Sequence, residues 1–179
     1  MKILKIIFLV LFISLNCQAE DNIKDAPAVI KENFSNYNLI GFYDLKVMGF
    51  NIYRIKLWSE KNYFSYQDKF AIDIEYKRNF NKDKLTESSI NEIKRINNIS
   101  DEELLLNYQN QLLKLFSDVK KGDRKIAIYS SNSNLKLYHN SILNGEIKDQ
   151  KFARYFIDIW LSDKSKYPKM TKAIINKNK

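Results

Sequence analysis

The chain holds one histidine, one cysteine, two prolines and four glycines in 179 residues, and each shortage excludes something. The cysteine, Cys17, has no partner for a disulfide, and once an N-terminal leader is removed no thiolate chemistry is left. His139 stands without carboxylates at ligand spacing, so no metal is expected. Glycine is too scarce for a phosphate-cradling loop. No nucleophile is spaced with a base, so no catalytic residue and no cofactor are assigned. Beyond residue 15 no apolar run approaches the roughly 20 residues that span a bilayer, so no stable membrane insertion is expected after leader removal.

What is present begins with the N-terminus. Lys2 and Lys5 precede the apolar run Ile6 to Leu15, and Asn16-Cys17-Gln18-Ala19 leads into Glu20 and Asp21. A basic start, a short apolar centre and a small residue before charge describe a secretory signal peptide. Cleavage is expected after Ala19 and the mature protein in the periplasm. The competing reading is lipid attachment at Cys17, which Asn16 fits poorly because a small residue belongs before the lipidated cysteine. The expected division is 1–19 signal peptide, 20–38 a polar N-terminal arm, and 39–179 one domain, within the usual domain size.

The formal charge is +9. A basic balance can mark a nucleic-acid or anionic-lipid partner, but here the lysines are interleaved with acids rather than massed, and an exported protein seldom meets nucleic acid. Nucleic acid is therefore excluded as a partner, and a protein partner stays unassigned.

Along the chain the hydrophobic period changes twice. Leu39 to Val47, closed by Met48-Gly49, and Asn51 to Trp58 read as strands. Phe70 to Arg78 is the clearest: Phe70, Ile72, Ile74 and Tyr76 share one face, and Ala71, Asp73, Glu75 and Lys77 the other. Lys82 to Asn97 then has a helical period. Ser100 and Glu103 have capping-box spacing, opening a helix that runs through Leu104, Tyr108, Leu112 and Phe116 toward Lys120, Lys121 and a stop at Gly122. Arg124 to Tyr129, Leu135 to His139 and Ile142 to Ile147 read as strands, with Asn144-Gly145 a turn dipeptide. Phe152 to Leu161 is apolar on nearly every side, with Arg154 and Asp158 spaced to pair, and is expected to be buried. Pro168 precedes a short last helix to Ile175. Strands, helices, strands, helices give an α+β fold: an antiparallel β-sheet covered on one face by a layer of α-helices.

Several segments carry a resemblance. KKGDRKIAIYS, NSILNGEIKDQ and FARYFIDIWL, with Gly122-Asp123, Asn144-Gly145 and Ile159-Trp160-Leu161 at their joints, resemble the bacterial chalcone isomerase-like family. The resemblance implies a curved antiparallel sheet with a ligand cleft between sheet and helices. GFYDLKVMG, Gly41 to Gly49, resembles the plant enzymes' segment in which an arginine holds the substrate and stabilises developing negative charge. At the matching place this chain has Tyr43. A neutral phenol brings no fixed charge, so the resemblance supports fold and cleft and argues against chalcone isomerase activity. The related plastid proteins that bind fatty acids keep an arginine as well, so the same departure weakens the expectation of carboxylate binding.

Four residues are candidates for a ligand site. Tyr43, on the inward face with Leu45 and Val47, either lines the cleft or is a buried aromatic with its hydroxyl tied to backbone. Tyr76 and Arg78 end the apolar face of the best strand, where they either meet a polar ligand group or form a snorkelling edge pair. Trp160 is either a ligand platform or a core residue. Arg54, with Lys56, has the parity of the solvent side. His139 is expected at a strand end, with a general base as the alternative, and Asp101, Glu102 and Glu103 as a helix-start cluster. Two function classes follow: a non-catalytic exported module binding a small apolar ligand (fatty-acid-like or aromatic) or a protein partner in the cleft, or an isomerase or intramolecular lyase using tyrosine hydroxyls as acids.

Overall fold

The alternation of Phe70 to Tyr76 is the spine of the structure. In the computed structural model, which describes residues 25–131 and 134–175, that segment is strand β3 (Phe70–Tyr76) at the middle of a sheet. β1 (Asn38–Val47) and β2 (Phe50–Ser59) precede it, and β4 (Arg124–Tyr129), β5 (Leu135–His139) and β6 (Ile142–Ile147) follow. Each strand pairs antiparallel with its sequence neighbours, giving an open six-stranded sheet in the order β1 to β6. The signal-peptide segment lies outside the described residues, and among those described no helix is long and apolar enough to cross a membrane.

Five helices accompany the sheet: α1 (Ala28–Asn33), α2 (Lys82–Asn97), α3 (Glu102–Leu115), α4 (Gln150–Leu161) and α5 (Pro168–Ile175). Helices α2 to α5 cover one face. Ile55, Leu57, Phe70, Ile72 and Ile74 of the sheet form one core with Ile93, Leu112, Phe152, Ile157 and Ile174 of the helices. The fold is thus α+β, as the patterning predicts.

Local chemistry sets the helix ends. The Asn81 side chain accepts from Lys84 N at 2.8 Å to open α2, and Asn98 closes it in the left-handed conformation. Asp149 caps α4, accepting from Lys151 N and Phe152 N at 2.8 and 3.0 Å. In α4 the Phe152 ring stacks on Tyr108 of α3 with centroids 4.0 Å apart, and Arg154 pairs with Asp158 at 3.1 Å as its spacing predicts. The helix is not buried all round, however. Tyr155, Ile159 and Trp160 are half-buried, because Ile159 and Trp160 border a cavity instead of packed core.

Other differences have physical causes. The cap of α3 is Asp101, whose carboxylate accepts from Leu104 N at 3.0 Å, and not Ser100; an ionised cap also answers the helix dipole. α3 ends at Leu115, ahead of Lys120 and Lys121, because Val119 and Phe80 exchange backbone hydrogen bonds of 2.8 and 2.9 Å that draw the chain into an isolated bridge. Gly122, at φ 95°, serves the turn into β4. The β5–β6 turn falls at Asn140-Ser141, both with positive φ, and not at Asn144-Gly145. Asn144 is instead an extra residue where the β5–β6 register shifts.

The N-terminal arm is also more than a linker. Val29 and Ile30 of α1, with Ala26 and Phe34, pack on Trp58, Ala71, Ile126 and Ile128 against the other face of the sheet. The sheet is therefore covered on both faces, broadly on one side and locally on the other. At its outer strand, Gly41 admits α5: a Cβ there would lie 2.3 Å from the carbonyl oxygen of Ala173.

Candidate functional site

Between the sheet and helices α2 to α4 the packing leaves a cavity of about 470 Å³, within the range of small-molecule sites. Strand alternation supplies the floor with Leu45, Tyr53, Ile72, Ile74 and Ala127; Leu85, Phe116, Phe156, Ile159 and Trp160 supply walls and roof.

Two of the four sequence-predicted residues stand on this wall, Tyr76 and Trp160. The Tyr76 ring meets Tyr53 and Phe80 edge-on, at 6.2 and 5.9 Å between centroids, and Trp160 meets Phe156 at 5.4 Å. Tyr43 lies outside the lining. Its parity is as expected, opposite Ile55, and it packs against the main core. It sits one pleat back from the cavity-lining Leu45, on the stretch of β1 near Gly41 that α5 covers. Arg78 is exposed beyond the end of β3, its guanidinium 4.6 Å from the centre of the Phe50 ring; the strand stops at Tyr76, so the alternation no longer directs it. Arg54 faces away from the cavity and holds Asp44 through two bonds of 2.8 and 3.1 Å.

Tyr53 is a wall residue that the patterning did not single out. Its hydroxyl lies 3.5 Å from Met170 Sδ. Burial pushes the phenols of both Tyr53 and Tyr76 well above their ordinary range, which makes them poor proton donors.

The cavity has one polar end. Lys125 of β4 stands opposite Ile74 in the sheet register. Its Nζ donates to Ser117 Oγ at 3.3 Å and lies 5.4 Å from the centre of the Phe116 ring. Behind it, Ser117 Oγ is 2.6 Å from His139 Nδ1, and His139 Nε2 is 3.2 Å from Asp123 Oδ2. Asp123 also accepts from Asn140 Nδ2 at 2.9 Å and Lys120 N at 2.8 Å. These bonds hold its carboxyl down at about 2, so it is ionised at neutral pH. In a neutral His139 ring, Nε2–H donates to this carboxylate and Nδ1 accepts from the serine hydroxyl. The serine oxygen is then free to accept from Lys125. Burial lowers the Lys125 ammonium to about 8.

The neighbouring bulge fixes this end of the cavity. Asn144 Nδ2 donates to the Leu115 carbonyl at 3.0 Å, satisfying an acceptor at the open end of α3. Gly145 lets the chains meet, since a Cβ there would stand 2.5 Å from a Leu115 methyl. Among the described residues no three His, Cys, Asp or Glu side chains cluster as a metal site.

No curated protein matches the sequence. Among solved structures, a fatty-acid binding protein of Arabidopsis thaliana is similar in fold, with a TM-score of 0.59 and 12% identity over 79% of this chain and 87% of that one. The family model for chalcone isomerase-like proteins matches residues 43–175, from the middle of β1 to the last residue of α5. That span contains nearly all of the sheet, helices α2 to α5 and the cavity, and so the chain belongs to the chalcone isomerase-like family.

Proposed function

We propose that this protein is an exported, non-catalytic module that binds a small apolar ligand between its sheet and helices. The observation that carries the reading is the cavity of about 470 Å³ walled by Ile72, Ile74, Phe116, Phe156 and Ile159. An apolar cavity of this size forgoes packing contacts that a continuous core makes, and an apolar ligand supplies them. The similar Arabidopsis protein is a fatty-acid binding protein, which supports a fatty-acid-like occupant over an aromatic one. The upward displacement of the Tyr53 and Tyr76 phenols speaks against the alternative, an isomerase using tyrosine acids. Tyr43, where the plant enzymes have arginine, adds no charge to the cavity.

The test is binding of the neutral fluorophore N-phenyl-1-naphthylamine to the mature protein, against an Ala127→Phe variant that fills the floor. Saturable emission enhancement with the native protein, lost in the folded variant, is expected. Equal weak enhancement by both would refute the reading. Turnover of a hydroxychalcone at an enzymic rate would replace it with the isomerase. N-terminal sequencing of protein recovered from the periplasm, beginning at Glu20, tests export.

A further inference from the structure

The charged residues on the cavity wall are not alike. Glu92 is paired with Arg95 at 2.6 Å. Lys84 and Lys166 are exposed, so water solvates them. Lys125 is half-buried, and within ion-pair distance it has no carboxylate among the described residues; its polar contact is the Ser117 hydroxyl. Asp123, two residues earlier, acts on it only from a distance, its own carboxylate being engaged by Lys120 N, Asn140 and His139.

A desolvated ammonium beside apolar walls is costly unless an opposite charge meets it. Elsewhere the same sheet supplies one: Asp73, on the next strand, takes both of its oxygens to Arg124 at 2.8 and 2.9 Å. An ammonium has three donors. Ser117 uses one, which leaves the others for a group inside the cavity. The Asp123–His139–Ser117 chain fixes the serine so that Lys125 is held in place rather than folded back to solvent. A carboxylate is the matching head, since one negative charge balances one positive charge and its two oxygens accept the remaining N–H groups.

We infer that the Lys125 end of the cavity is a head-group site, and that the occupant is an amphiphilic carboxylate with its acid at Lys125 and its apolar body crossing Ile74 toward Tyr53 and Trp160. This rests on the reading of the cavity as a ligand site. It places the cation on β4 rather than at the β1 position of Tyr43. Lys125 is the binding residue, and Ser117 and His139 are positioning residues.

The experiment displaces bound N-phenyl-1-naphthylamine with dodecanoate or with its neutral methyl ester, on the native chain and on Lys125→Met and Lys125→Arg. On the native protein the acid should compete at least about 10-fold better than the ester, the scale of one charge-assisted hydrogen bond. Lys125→Met should abolish that preference, acid and ester then competing alike, and Lys125→Arg should retain most of it. His139→Ala should weaken acid binding more than ester binding, which a purely structural role would not do. Equal potency of acid and ester on the native chain, or a preference that survives Lys125→Met, overturns the head-group site and leaves the apolar-cavity reading intact. Failure of the fluorophore and both competitors to bind overturns both.

Discussion

Arg124 and Lys125 are adjacent on β4 and project to opposite sides of the sheet, into two kinds of environment. On the α1 side, Arg124 reaches Asp73, which is buried and also accepts from Trp58 Nε1 at 3.2 Å. Glu75 extends the set, 3.4 Å from Arg124 and paired with Lys77. Burial raises the Asp73 carboxyl, and Arg124 opposes the shift. On the cavity side Lys125 finds a hydroxyl and a ring. One side completes its charges internally, as a structural network must. The other leaves a charge uncompleted on the wall of the cavity. The difference separates a buried charge that holds the fold together from one kept at the expense of stability.

The comparison can be broken most severely at Asp73. Asp73→Ala leaves Arg124 only its 3.4 Å contact with Glu75 and removes the acceptor of the Trp58 N–H, and should destabilise by about 3–5 kcal/mol in urea titrations. A loss under about 1 kcal/mol would mean the α1-side network carries no weight. Next comes packed core against cavity wall. Phe152→Ala removes a ring stacked on Tyr108 with no exposure and should cost about 3–5 kcal/mol. Ile159→Ala, on the wall of the cavity, should cost less than half as much; equal losses would show that α4 has no open side.

Lys125→Met should move stability the other way. The folded ammonium sits near 8, below the ordinary lysine value of 10.5. The charged form is therefore penalised by folding, in full below pH 8. The penalty is relieved as pH rises and is gone above about 10.5. At pH 7 the variant should be more stable by about 1–2 kcal/mol, discounted for the partial exposure of the group. The native chain should close the gap between pH 8 and 10.5. A variant less stable than the native protein at pH 7 would place Lys125 with the structural charges. Smallest of all is Asp44→Asn, which weakens the exposed pair with Arg54 and should cost less than about 1 kcal/mol.

The sequence shows this architecture better than it shows this site. Phe70 to Tyr76 alternates because one side is apolar throughout, and the helix from Lys82 to Asn97 and the strands from Arg124 to Ile147 stand where their periods place them. α1 escapes notice because its buried residues, Val29 and Ile30, sit in a short and otherwise polar stretch. In RKIAIY, Ile126 and Ile128 mark one apolar face and make Lys125 read as solvent-facing. The strand is covered on both faces, so parity could not tell cavity from solvent. Ser117, Asp123 and His139 are scattered along the chain, and the packing of β4 and β5 beneath the end of α3 is what joins them.

Gly41 has a consequence for the order in which the molecule assembles. Every strand pairing joins sequence neighbours, so most of the sheet can zip from one hairpin to the next. The seat of α5 against Gly41 joins the two ends of the domain, the contact with the longest loop to close. That contact is expected to form after the rate-limiting step. Gly41→Ala, which forces α5 outward, should then speed unfolding several-fold and leave the folding rate nearly unchanged in stopped-flow chevrons. A protein whose last event is the closing of its outer edge would also open there first, so that the β1–α5 seam is where unfolding begins.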